Sequence, residues 1–344
     1  MFGYFRFVLA TFVFASHVGI SVQQHFNLGV FAVVCFFILA GFVVTGLFDK
    51  FFYQNKILYF EFYFERFLRI FPQYLFILAL TVIFLLYTKF LSVNFDGLNV
   101  FSNLSIILLN LVDLIDIQVL VPPAWSLGLE LKAYLILPFV IYFKLVKIIM
   151  AISSLVVFFL AILGFINTDL YSYNMIPGVF FMFILGVSTY NTTIKRNHDP
   201  DLFDRYFPVI VYFLMALLII RIGIHEKLLN SDLMEIGLGV MLGFPAIVYI
   251  AKSNINIPFN KFFGDLSYGL FLSHFLVIWM VAHFFGIDLH NGINESNDHI
   301  SPYLYVIMIF VGSIIISILG LYFVERPIKK YRFHLTKNLN KQHE

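Results

Sequence analysis

Arg6 and His17 stand eleven residues apart in the apolar run YFRFVLATFVFASHVGI, Tyr4 to Ile20, and they are the two side chains in it that lipid rejects. At 100° per residue, eleven positions make three turns plus about 20°, so both groups share one helix face about 16 Å apart. An ionisable group at membrane depth faces a polar cavity or a partner, which makes the pair a candidate site for proton chemistry beside an anion-holding cation. The structural alternative is an Arg that snorkels to the headgroups and a His hydrogen-bonded to a neighbouring helix.

Further side chains extend this pattern. Glu130 follows Pro122-Pro123-Ala124-Trp125 by about 7 Å of helical rise, a depth that suits a carboxylate beside His17, where it would fix the tautomer and raise basicity. It also suits pairing with Lys132 or capping a helix start. Arg66 and Arg69, in ERFLRIFP, are three apart on one face and could grip phosphate bidentately, with Arg6 at the same level; both serve equally as topology anchors. Gly264-Asp265-Leu266-Ser267-Tyr268 reads as a helix entry whose hydroxyls line a cavity, and His274, ten residues in, lines the same cavity or bonds structurally. Gly29, Gly41, Gly46, Gly178 and Gly186 read as close helix contacts, and the outward His25, His290 and His299 as loop residues without metal spacing. The single cysteine, Cys35, excludes an intrachain disulfide and a cysteine-based zinc site, and sits in an apolar run as core packing.

The elements that must position these residues are membrane helices. With 61% hydrophobic and 12% charged residues and a mean hydropathy of +0.91, the chain is no ordinary soluble domain. Its 344 residues hold about ten spans. They are expected at 4–23, 28–48, 71–91, 125–143, 148–166, 175–192, 206–223, 233–251, 264–285 and 303–324, with a shorter apolar run from Phe101 to Val112 too brief to cross. The expected fold is all-α and polytopic, one transmembrane domain over residues 1–330 around a central cavity, then a polar cytoplasmic tail over 331–344. Placing both termini in the cytoplasm puts all the 22 Lys and Arg on the inner side except Lys89, Arg221 and Lys227 in outer loops and Lys132 within a span. The first run lacks a cleavage site and reads as a permanent span. Neither metal binding nor nucleic-acid binding is expected.

Taken in order, the motifs resemble the membrane acyltransferase-3 family, whose members acylate sugars of surface glycans. The resemblance rests on Arg6 and His17 with ten residues between, Gly29-Val30-Phe31, Phe36 to Phe42, Arg66 to Pro72, Trp125-Ser126-Leu127-Gly128-Leu129-Glu130, Gly264 to Tyr268 with His274, and Glu325-Arg326-Pro327. The chain departs from it at Ala40, where the family usually has Ser, at Glu65, where a second Arg is common, and at Leu131 and Ala133. The resemblance implies an enzyme of the inner membrane that moves an acyl group, acetyl first, from cytoplasmic acyl-CoA to a glycan or lipid-linked saccharide hydroxyl, with no permanently bound cofactor. His17 and Glu130 would be catalytic, Arg6, Arg66 and Arg69 would hold the CoA phosphates, and Trp125, Ser126, Ser267, Tyr268 and His274 would line the substrate cavity. The rival reading is a transporter or flippase, since intramembrane Arg, His and Glu also mark substrate paths; the missing repeated halves and paired broken helices speak against it.

Overall fold

The computed structural model describes residues 1–18, 26–49, 59–195, 200–224, 232–253, 255–287 and 301–330; the expected tail, and His25, His290 and His299, lie outside them. The long helices follow the apolar runs in order: α1 Phe2–His17, α2 Leu28–Phe48, α3 Tyr59–Thr88, α5 Trp125–Tyr142, α6 Lys144–Ile162, α7 Ile176–Thr193, α8 Leu202–Ile224, α9 Leu233–Lys252, α10 Asn260–Phe285 and α11 Pro302–Gly320, with a short α4, Gly97–Ser105. Among the described residues no strand occurs, and nine helical segments are long and apolar enough to cross a membrane. The sixteen residues of α1 fall short of that length, and residues 19–25 lie outside the description. A π-helical turn, Leu321–Glu325, carries α11 on to Lys330.

The helices α3, α6, α8 and α10 begin four or more residues earlier than expected, and in α3 and α10 the difference bears on the site. The charges of Glu61, Glu65, Arg66 and Arg69 depress the hydropathy before residue 71, yet Phe62, Arg66, Ile70, Tyr74, Ile77, Thr81 and Leu85 are buried, a stripe at helical spacing that continues through Pro72. In α10 the start is Asn260, so Gly264 to Ser267 form the second turn instead of the entry.

Contacts divide the chain into two compact units. In the unit holding α2 and α6 to α9, the centre is α7, whose residues from Gly178 to Thr189 are all buried. Pairs between α2 and α7 advance together, Phe37 on Phe183 at 4.9 Å and Phe42 on Tyr190 at 5.5 Å between ring centroids, so these helices run parallel. The α2 and α9 pairs do the same: the Asn27 amide donates to Glu235 at 2.9 Å, and the Cys35 thiol meets the Gly239 carbonyl at 3.5 Å. Asn27 also caps α2, its side chain accepting from the amides of Gly29 and Val30.

Gly41 and Gly186 let α2 and α7 touch through their backbones, because a Cβ on Gly186 would overlap the Ile38 carbonyl and one on Gly41 that of Phe183. Gly186→Ala is therefore expected to destabilise the protein by roughly 1–3 kcal/mol as the helices are forced apart. A lower thermal midpoint in detergent checks this; an unchanged one contradicts it.

The second unit holds α1, α3, α4, α10 and α11. Here α1 and α10 run parallel, in contact from Gly3 and Asn260 at one end to His17 and His274 at the other. The α3 helix is parallel to α10 as well, from Ile70 beside Tyr268 to Phe84 beside His283. Between α10 and α11 the numbers run oppositely, Ser273 meeting Ser313 and Gly269 meeting Ser317, so that pair is antiparallel. Within each unit these directions are the ones alternating crossings require, because α1, α3 and α10 are odd-numbered among the long helices and α11 even, while α2, α7 and α9 are all even.

The segment 92–124 is built, not loose. Gln118 accepts from the Asn94 amide at 2.9 Å and donates to Ser92, while Asn103 bridges the Gln118 carbonyl and the Leu120 amide. Tyr74 ties it to α3 through the Asn103 carbonyl at 2.7 Å. Asp96 caps α4, and the Asn99 amide it accepts from holds its exposed carboxyl below the ordinary range.

Candidate active site

The position of α1 is set at both ends by α10. The first-turn amides of Gly3 and Tyr4 donate to the Asn260 side chain at 2.8 and 3.3 Å, an N-cap supplied by another helix. Tyr4 and Phe7 pack on Phe263 with ring centroids at 4.6 and 5.0 Å, and Phe14 packs on Phe310 at 5.3 Å. Arg6, half-buried near this capped end, and His17, three turns on, are thereby held along one side of α10.

His17 is the last helical residue described in α1 and is exposed. Its ring lies 5.4 Å from that of His274, stacked with an angle of 20° between the planes, and 4.8 Å from Phe275. His274 is fully buried. Its Nδ1 lies 3.2 Å from the Leu270 carbonyl, a distance at which Nδ1–H donates and the Nε2 lone pair is left available; Nε2 has no hydrogen-bond partner among the described residues. An accessible imidazole stacked on a second imidazole of fixed tautomer is an arrangement that can take up and pass on a proton. His274 was the weaker of the two in the sequence, because nothing there shows that residues 257 positions apart share one level.

Arg66 and Arg69 are held by carboxylates. Arg66, 8% exposed, is paired with Glu65, its Nε donating at 2.8 Å. Arg69 meets Glu325 at 2.9 Å and lies over the Tyr268 ring, 5.5 Å from its centroid. Glu325 also holds Lys329 at 3.0 Å, and Lys329 holds Asp265 at 2.6 Å. These two cations and two anions on α3, α10 and the end of α11 cancel, so a phosphate arriving at Arg69 exchanges with a carboxylate instead of filling a bare cationic site. Lys329 was not legible as a site residue; Asp265 and Glu325 stood in recognised motifs without partners to explain them.

The hydroxyls expected in the cavity bond to backbone. Ser267 donates to the Gly264 carbonyl at 2.8 Å, and Tyr268 to the Ile70 carbonyl on α3 at 2.9 Å. Trp125 opens α5, its amide donating to the Pro122 carbonyl, and Ser126 after it is buried. Glu130 is half-buried on α5 and accepts a hydrogen bond from Tyr134 one turn later. It belongs to the unit of α2 and α7, whereas His17, His274 and the three arginines belong to the other. Among the described residues no three His, Cys, Asp or Glu side chains stand close enough to share a metal ion.

A family model described as an acyltransferase domain matches residues 2–322. An uncharacterized protein of Aquifex aeolicus is 30% identical over 220 residues, which cover 63% of this chain and 91% of the relative. An uncharacterized protein of Haemophilus influenzae is 29% identical over 150 residues, 40% of this chain and 61% of the relative. No solved structure matches the chain significantly. With apolar helices throughout and a family match over nearly its whole length, the chain belongs to the acyltransferase-3 family and is a multi-pass membrane acyltransferase.

Proposed function

We propose that the protein moves an acyl group, acetyl first, from cytoplasmic acyl-CoA to a sugar hydroxyl of a cell-surface or lipid-linked glycan, in an inner membrane with both termini in the cytoplasm. The observation that supports this reading is the stacked pair His17 and His274, three turns along α1 from Arg6. The pantetheine arm of CoA has a length of the order of the 16 Å or so between Arg6 and His17, so a donor held by its phosphates at the arginines brings its thioester to the imidazole. His17 removes the hydroxyl proton, the sugar oxygen attacks the thioester carbonyl carbon, and the carbon–sulfur bond breaks. The thiolate then takes the proton from His17. A brief acyl-imidazole on His17 gives the same products in two steps. His274, stacked behind, shares the proton and keeps the ring in place.

Mass analysis of surface glycans tests the reading. Deleting the gene removes an ester-borne acyl group from one glycan, and re-expression of the wild type, but not of His17→Ala, restores it. Identical glycans in deleted and parental cells contradict the proposal.

A further inference from the structure

A narrow cleft runs between α3 and the helical end of α11, lined by Leu68, Arg69, Pro72 and Gln73 on one side and by Glu325, Ile328 and Lys329 on the other. At its mouth stand the exchangeable ion pairs of Arg69 and Lys329. Deeper lies the Gln73 side chain. Gln73 is 1% exposed, and neither its Oε1 nor its Nε2 has a hydrogen-bond partner among the described residues. A primary amide brings two donors and two acceptor lone pairs, and leaving all of them idle in an apolar helix bundle opposes folding, so such a group is retained for a ligand. Its Nε2 packs closely on two glycines, since a Cβ on Gly269 would stand 2.6 Å from it and one on Gly320 3.2 Å away.

The chemistry that fits is an anionic group with a secondary amide one helical turn deeper. From Arg69 to Gln73 the axial rise is about 6 Å. In the CoA arm, five single bonds separate the phosphorus from the first amide carbonyl, which is also about 6 Å when extended. We infer that this cleft seats the phosphate and first amide of the pantetheine arm, with the Gln73 amide donating to the arm's carbonyl and accepting from its N–H. The inference rests on the reading of Arg69 as a phosphate contact. An N-acetylated sugar phosphate carries the same pair of groups, so the glycan acceptor is the competing occupant. The donor is favoured because the cleft opens beside Arg326, Lys329 and Lys330, the cation-rich end that the positive-inside rule places in the cytoplasm.

The test compares wild type with Gln73→Met, close in volume but without hydrogen-bonding groups, as purified protein in lipid vesicles. The expected result is a rise of about tenfold or more in KM for acetyl-CoA with kcat within about threefold, since two directed hydrogen bonds are lost. The short donor S-acetyl-N-acetylcysteamine, which lacks the phosphate and the first amide, should show no change. At equal CoA concentration the rise in melting temperature should be smaller for the variant than for wild type, while the variant without CoA should melt no lower than wild type. An unchanged KM for acetyl-CoA, or a rise confined to the KM of the acceptor, overturns the inference. Wild type that is stabilised by CoA through Gln73 but leaves the thioester uncleaved overturns the acyl-transfer reading and leaves this site standing; wild type that turns over acetyl-CoA identically with Gln73→Met does the reverse.

Discussion

His17→Ala should lower acyl transfer by at least about 10²–10⁴-fold, the usual weight of a positioned acid–base group, and to background if the imidazole also carries the acyl group. The protein should still insert and fold. His17 is exposed at the end of α1, and its removal strips a stacking face from His274 and Phe275 without opening a sealed cavity. The capped start of α1, held by Asn260, and the Phe14 to Phe310 contact remain to anchor the helix. Initial-rate measurements on purified variant of unaltered melting temperature check this, and turnover within tenfold of wild type removes His17 from the chemistry.

The second large effect is on stability and lies in the other unit. Lys147 on α6 is 5% exposed and meets Asp204 on α8 at 2.8 Å; Asp204, 3% exposed, also accepts from Ser188 and Asn191 of α7 at 2.8 and 2.9 Å. Asp201 completes the cluster, 3.4 Å from Lys147, its carboxyl held below the ordinary range: burial pushes it up, but the Asp204 amide and the ammonium groups of Lys147 and Lys144 outweigh that. Lys147→Met removes the cation and leaves the Asp204 charge buried without its counterion, a loss of about 3–5 kcal/mol. Replacing both partners, Lys147→Met with Asp204→Leu, should recover much of that stability, since no bare charge then remains. Thermal or denaturant unfolding in detergent reads both; equal stability of wild type and Lys147→Met would contradict the role assigned to the pair.

The order and placement of the long helices were legible because lipid selects for continuous apolar runs, and the starts of α2, α5 and α9 fall on or next to the expected residues. The start of α3 was hidden by charges that the fold pairs: Glu65 with Arg66, and Arg69 with Glu325. Local pattern also misassigned Gly264 to Ser267 as a helix entry, because Asn260 spends its side chain on the first turn of α1 instead of marking a cap of its own helix. Candidate residues were found where lipid makes a charged or ionisable group anomalous, as with Arg6 and His17, whereas the neutral Gln73 inside an expected span was passed over. The partners of the residues found were not legible, since His17 meets His274 across 257 residues and Arg69 meets Glu325 across 256. Spacing reports which residues share a helix face, but only packing reports which faces meet.

The central claim is that this membrane protein breaks a thioester and passes the acyl group to a hydroxyl. Purified wild-type protein in vesicles, given acetyl-CoA and a lipid-linked saccharide, should release free CoA thiol in equal amount to the new acyl ester, and His17→Ala should release neither. Movement of the saccharide across the vesicle membrane with acetyl-CoA left whole would contradict the account and make the protein a carrier.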